Sequence, residues 1–294
     1  MQKKGKPVLD AAPGSLPIVD THQHLWDLNK LRLPWLSGAP RLNRTYDLRD
    51  YDEATRGLNV VRTVYMEVDV APEQQVEEAE YVLDLCRRAD NRMGAAVISG
   101  RPGKPGFREY IARYKETKEI KGIRQVLHGG TPRGYCLEPG FVKDIQHLGE
   151  LGKSFDICIR SAELEDAVKL VEQCPGTRFI LDHCGNMSPQ EPDRTRWESD
   201  LKRLAARPNV VCKVSGIVAS AREGWKAADL APVINTVLQT FGPERVMFGG
   251  DWPVCTLRAS YGDWVTALKE IVRNRPAAEQ RKLFADNAVR FYGL

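Results

Sequence analysis

The chain has 294 residues, with 43 Lys and Arg against 39 Asp and Glu, a net charge of +4. That length suits one α/β barrel of about 250 residues as well as two modest domains, and the near-balance of charge excludes a strongly basic polyanion binder. Seven cysteines, an odd number without C-x-x-C pairs, exclude a secreted disulfide scaffold, and no run approaches the ~20 apolar residues of a membrane span.

The cysteines therefore read as reduced thiols of a cytoplasmic protein with neither nucleic acid nor membrane as partner. Residues 1–16 carry the basic stretch QKKGKP and read as a solvated tail, because no aromatic or further basic cluster accompanies it. Residues 17–294 are expected to form a single barrel. Its first β-rich run, PIVDTH at Pro17, leads into PIVDTHQHLWD, which holds two of the chain's five histidines. In an extended strand His22 and His24 share a face, about 7 Å apart along the backbone, so both imidazoles can converge on one point.

Residues 25–58, rich in Trp, Pro and Arg, read as a long first loop with a short helix from Asp47. The run VVRTVYMEV at Val60 predicts strand two. After it, Val76, Ala79, Val82, Leu83 and Cys86 recur at helical spacing in EQQVEEAEYVLDLCRRA. MGAAVIS at Met93 and IKGIRQVL at Ile120 predict strands three and four, followed by a helix over 138–150. SFDICI at Ser154, RFILDH at Arg178, VVCKVS at Val210 and VMFGGD at Val246 complete eight strands. Helical patterns at 161–173, 193–206, 226–241 and 262–273 separate or follow them. Eight β-rich runs alternating with helices predict a (β/α)8 barrel; no G-x-G-x-x-G or G-x-x-x-x-G-K-[ST] supports dinucleotide or P-loop chemistry.

Barrel chemistry assembles at the C-terminal strand ends. There the chain places His22 and His24 on strand one, Glu67 on two, Arg124 on four with His128 beyond, Asp182 and His183 on six, Lys213 and Ser215 on seven, and Asp251 on eight. Each has a plainer reading. Lys213 sits inside a strand buried on both faces, so it is either a functional group or one half of an ion pair. Glu67 shares a face with Tyr65 and could form a polar rim. Strand alternation predicts that one of Asp182 and His183 faces the interior and the other the helices. Asp251 in GGDWP could be a structural cap. Trp26, Trp35 and Trp252 flank the expected mouth as an aromatic wall or as loop packing. His128 and His147 read as surface or loop positions, and Cys158 and Cys212 as small buried hydrophobes.

VDTHQHLWD, LPWL, GIRQVLHG, FDICIR, RFILDHCG, CKVSG and MFGGDWPV, in this order over about residues 18–254, resemble the amidohydrolase superfamily. Within it they are similar to the amidohydrolase-2 group of sugar-lactone hydrolases, the L-fuconolactonases and L-rhamnonolactonases, and more distantly to 2-pyrone-4,6-dicarboxylate lactonase. The resemblance implies a distorted (β/α)8 barrel that opens a sugar lactone with water. It implies Asp251 as general base, His183, His22 and His24 as further catalytic groups, and Arg124, Lys213, Glu67, Trp26 and Trp252 as substrate-binding residues. Binuclear members carry a lysine or glutamate at strand four and a histidine at strand five, where this chain has Arg124, Asp156 and Cys158. The expectation is therefore no required cofactor, or one weakly bound zinc on His22, His24 and Asp251. Competing readings are a zinc-dependent hydrolase of C–N bonds, a decarboxylase of an aromatic acid, and a binding barrel without catalysis. Specificity is expected in loops 25–45, 129–137 and 186–196.

Overall fold

The structure is a computed structural model that describes residues 15–294. The expected basic tail lies outside the described residues apart from Ser15 and Leu16. Eight strands follow the chain: β1 (Ile18–Gln23), β2 (Val60–Met66), β3 (Met93–Ser99), β4 (Ile120–Val126), β5 (Ser154–Cys158), β6 (Arg178–Leu181), β7 (Val210–Val214) and β8 (Val246–Phe248). Each coincides with a run expected from the sequence. They pair in parallel in the order of the chain. The ring closes where Gln23 bridges Trp252, with the His24 N–H donating to the Trp252 carbonyl and the Asp251 N–H to the His22 carbonyl, both at 2.8 Å. The result is the expected (β/α)8 barrel.

Strands covered on both faces explain the near-continuous apolar runs: every residue of β1 and of β2 is buried. Gly122 in IKGIR is required by close packing, since a Cβ there would lie 2.5 Å from the Ser154 carbonyl oxygen of β5. Around the strands run helices Gln75–Arg87, Pro139–Glu150, Leu164–Gln173, Thr195–Ala205, Ala227–Phe241 and Tyr261–Val272. The short helix Leu48–Ala54 begins where expected, because the Asp47 carboxylate accepts the N–H groups of Arg49 and Asp50. The helical segments Phe107–Ala112 and Ala277–Tyr292 were not evident from periodicity; both are short or broken, the second by a π-turn over Lys282–Asp286.

The C-terminal segment seals part of the core, with Ala285, Ala288 and Tyr292 packing on Val19, Ala95, Val97 and Met247 of the strands. Each fully buried large apolar side chain of such a core contributes about 1.5–3 kcal/mol. All seven cysteines are free and buried. Among the described residues no helix is long and apolar enough to cross a membrane.

Candidate active site

The C-terminal ends of β1 and β8 are clipped together by a carboxylate below the site. Asp20 Oδ1 accepts the N–H groups of His22 at 2.9 Å and Gly250 at 2.7 Å, while Oδ2 accepts the hydroxyls of Tyr51 at 2.8 Å and Tyr261 at 3.0 Å. Those four bonds, at about 1 kcal/mol or more each for a charged acceptor, fix the segments that carry His22, His24 and Asp251. The two imidazoles converge as the H-x-H spacing implies: their ring centroids are 4.9 Å apart at 81°. His24 Nε2 lies 3.4 Å, and His22 Nε2 3.7 Å, from Asp251 Oδ1.

Beside them Arg124 rises from β4. Its Nε donates to Glu67 Oε1 at 2.7 Å, its Nη2 to the Glu67 carbonyl at 2.8 Å, and its Nη1 meets His22 Nε2 at 3.2 Å. Glu67 is held in turn by the Asp69 N–H and the Ser99 hydroxyl. Burial alone would lower the Arg124 pKa, but Glu67 outweighs it and keeps the guanidinium charged. Three of its five N–H hydrogens are thus engaged, and Nη1 also lies 3.5 Å from Asp182 Oδ2.

Behind His22 a buried triad joins β5, β7 and the residue that follows β6. Lys213 Nζ lies 2.5 Å from Asp156 and 3.2 Å from Asp182, all three with 0% side-chain exposure. Asp182 also approaches His22 Nδ1 at 3.6 Å and Arg124 at 3.5 Å. Burial pushes carboxyl pKa values up, yet at Asp182 the charge of Lys213, helped by the contact with His22, prevails and holds it well below the usual range. Asp156, with one ammonium to share, is pushed up to about 7 by its burial. Burial likewise holds His22 well below the ordinary histidine value, so its ring is neutral at neutral pH.

His183 enters the site through an abrupt turn. Its φ is +55°, and Cys184 and Asn186 follow at +53°. The ring Nδ1 meets Ser215 Oγ at 2.9 Å. Gly216 makes room for it, since a Cβ at that position would lie 2.3 Å from His183 Nδ1. Asp69 and Asp251 share the left-handed conformation, with φ of +48° and +54°. Such backbone costs about 1–3 kcal/mol per residue and gathers at functional sites. Of these five residues, Asp69, His183, Asn186 and Asp251 line one cavity of about 500 Å³.

The cavity wall also includes His24, Trp26, Trp35, Arg124, His128, Cys158 and the apolar Val68, Val126, Ile217 and Val254. Arg160 fastens the loop that bears His128 by donating to the carbonyls of Leu127, Gly129 and Thr131. Burial and the nearby Arg124 lower the His128 pKa to about 4. Burial pushes the Cys158 thiol up to about 12, so it is not a thiolate nucleophile.

The profile of the amidohydrolase family, Amidohydro_2, matches residues 19–294. The chain belongs to this amidohydrolase family. Among its relatives, the L-fucono-1,5-lactonase of Burkholderia multivorans is 30% identical over 94% of this chain and 96% of its own. The L-rhamnono-gamma-lactonase of Scheffersomyces stipitis is 25% identical over 94% and 98%. Among solved structures, an amidohydrolase from Burkholderia multivorans with bound zinc superposes with a TM-score of 0.84 at 28% identity, covering 95% of this chain and 99% of that one.

In this amidohydrolase His24, Asp251, His183, Arg124 and Trp26 meet at the cavity as expected, and His22 lies fully buried against them. Three expected substrate-binding residues do not reach its wall. Lys213 is consumed by the triad with Asp156 and Asp182, because an ammonium inside the barrel needs paired carboxylates. Glu67 holds Arg124 and forms no rim. Trp252 is buried edge-on against Tyr46 and Tyr51. The alternation expected for Asp182 and His183 also fails: β6 ends at Leu181, and the left-handed turn brings both to the same centre. His128, expected at a surface or loop position, lies in the loop after β4 and lines the cavity. Asp20 and Asp69 were not singled out from the sequence as site groups, and Asp182 was read only as a strand-end residue. A carboxylate two residues before the first histidine, in VDTHQH, was the available signal for Asp20.

One metal ion fits this donor set. His24 Nδ1 lies 3.0 Å from the Met66 carbonyl, which only accepts, so that nitrogen carries the proton and Nε2 turns its lone pair toward the Asp251 carboxylate. Two acceptors facing each other are suited to a cation or a shared proton. His22 Nε2 completes a set of three whose atoms lie within 4.8 Å of one another. Arg124, however, donates to that same nitrogen, so an ion there displaces a hydrogen bond.

Proposed function

We propose that this amidohydrolase opens the ring of a sugar-acid lactone by attack of water on the ester carbonyl, with Asp251 as general base. The observation that carries the proposal is a carboxylate and a guanidinium on one cavity wall. Asp251 sits beside His24, and Arg124 lines the same cavity. The lactonase names of the relatives from Burkholderia and Scheffersomyces support the same class of bond.

The carbonyl oxygen of the lactone rests against Arg124. Asp251 takes a proton from water as its oxygen bonds to the carbonyl carbon. Arg124, a fixed cation in a half-dry cavity, stabilises the developing oxyanion; one such donor contributes about 3–4 kcal/mol. Collapse of the tetrahedral species breaks the ring C–O bond. The Asp251 carboxyl or His183 then returns a proton to the leaving oxygen. Trp26 and Trp35 offer an apolar wall to the ring. If zinc binds, His22, His24 and Asp251 hold it, and it supplies a Lewis acid that acidifies water. The lone-pair contact of His24 with Asp251 makes zinc-dependent C–N hydrolysis the second reading.

A pH-indicator screen against a panel of aldonolactones, with and without chelator, tests the proposal. Lactone opening that survives chelation supports it. Asp251→Asn should lower kcat by at least ~100-fold with the melting temperature preserved. Turnover of amides but not lactones, abolished by chelator, would replace it with the second reading.

A further inference from the structure

We propose that Asp69 is a specificity-determining residue that admits uncharged, hydroxyl-bearing lactones and rejects those carrying a second, ionised carboxylate. The inference rests on the lactone-hydrolase reading above and goes beyond it in assigning the charge class of the substrate to one side chain.

Asp69 belongs to the loop after β2 and lines the cavity, with Arg101 as its ion-pair partner. Its backbone is left-handed at φ +48°, a conformation most residues avoid. Two contacts hold it there. Its N–H donates to Glu67 Oε2 at 2.7 Å, and its Oδ1 accepts from Arg101 Nη2 at 2.9 Å. The same Glu67 grips Arg124, so Asp69 and the oxyanion-binding cation are set by one buried carboxylate. Arg101 stands behind Asp69 and does not appear among the described residues that line the cavity.

The charges around the cavity give this placement its meaning. Arg124 is the single Lys or Arg among the described residues of the wall. Glu67 at 2.7 Å already pairs it, with Asp182 3.5 Å away. Asp251 and Asp69 add negative charge at the wall itself. A neutral lactone meets no net repulsion there, and its hydroxyls can donate to the Asp69 carboxylate. A carboxylate on the far side of the ring meets like charge there, because Arg101 is engaged by Asp69 and Arg124 by Glu67. The hydrolysis product is itself a carboxylate, so the same field favours its departure.

The experiment compares kcat/KM for a neutral aldonolactone and for its counterpart with a carboxylate in place of the terminal hydroxymethyl group. Like charges about 6 Å apart at an effective dielectric of about 20 translate to roughly 100-fold, and partial exposure of Asp69 reduces this to ~10-fold. The wild-type protein should prefer the neutral lactone by ~10-fold or more. Asp69→Asn should narrow that ratio by ~10-fold, by raising the rate on the acidic lactone and raising KM on the neutral one. A structural defect would lower both rates together and leave the ratio intact. Independently of any variant, raising salt from ~0.01 to ~1 M shrinks the screening length from ~30 to ~3 Å and should narrow the wild-type ratio. Equal rates on both lactones at low salt, or an unchanged ratio in a folded Asp69→Asn protein, overturns the assignment while leaving lactone hydrolysis standing. Failure to open either lactone overturns both.

Discussion

Replacing Lys213 with Met removes the one ammonium that two buried carboxylates share. Nζ lies 2.5 Å from Asp156 and 3.2 Å from Asp182, with no solvent access to any of the three side chains. Taking away one partner of a buried ion pair costs about 3–5 kcal/mol, because the remaining charge is left uncompensated. Met has a similar length, so little of this loss is cavity. Asp182 keeps Arg124 and His22 nearby, at 3.5 and 3.6 Å, and the cost therefore falls chiefly on Asp156. The Asp156 pKa is already about 7 by burial, and loss of Lys213 raises it further. A carboxyl whose folded pKa is raised contributes stability at low pH that is lost as pH rises through the folded value. The deficit of Lys213→Met against wild type is thus greatest at pH 8 and shrinks toward pH 5, where Asp156 is protonated. Urea unfolding and thermal melts at both pH values measure it. With ~2–4 °C per kcal/mol for chains of 150–250 residues, a fall of about 6–20 °C is expected at pH 8. Adding Asp156→Leu should recover part of the loss, since a neutral pair of similar volume needs no compensation. An unchanged melt together with a raised KM would show that Lys213 reaches substrate, and would refute the structural assignment.

Arg124→Lys cannot reproduce the fork that grips both the side chain and the carbonyl of Glu67, and kcat/KM on the lactone should fall ~10-fold or more, about 1.4 kcal/mol; unchanged kinetics would remove the guanidinium from the reaction. His128 has a folded pKa of about 4 against 6.5 unfolded. Its neutral form therefore contributes stability that is complete above pH 6.5 and lost as pH falls toward 4, on the order of 2 kcal/mol after allowance for partial exposure. In His128→Gln the acid limb of the stability profile over that window should flatten, and a profile parallel to wild type would contradict the assignment. Metal analysis of the purified protein should find at most one zinc per chain, with most lactone opening surviving chelation, because Arg124 occupies the His22 nitrogen that an ion needs. Activity restored only by adding metal back would overturn that expectation.

The eight strands were legible in the sequence because a strand covered on both faces must be apolar at nearly every position, and that constraint is local. The H-x-H of His22 and His24 and the Gly-Gly-Asp of Asp251 were legible for a related reason: strand alternation and a strand end suffice to say that these groups meet at one rim. Which charged residue works on substrate and which serves another residue was not legible. Lys213, Glu67 and Arg124 all sit at or near strand ends as charged residues in apolar runs, and nothing local separates them. Only the closing of the barrel brought Asp156 of β5 and Asp182 beyond β6 against Lys213 of β7, and Glu67 against Arg124 across β3. The inward turn of His183, the arrival of His128 and the placing of Asp69 depend likewise on left-handed or loop backbone that Gly216, Arg160 and Arg101 stabilise from a distance in sequence. A hydrophobic pattern reports burial one residue at a time. Which charges pair depends on distances between strands, and these exist only once the barrel has closed.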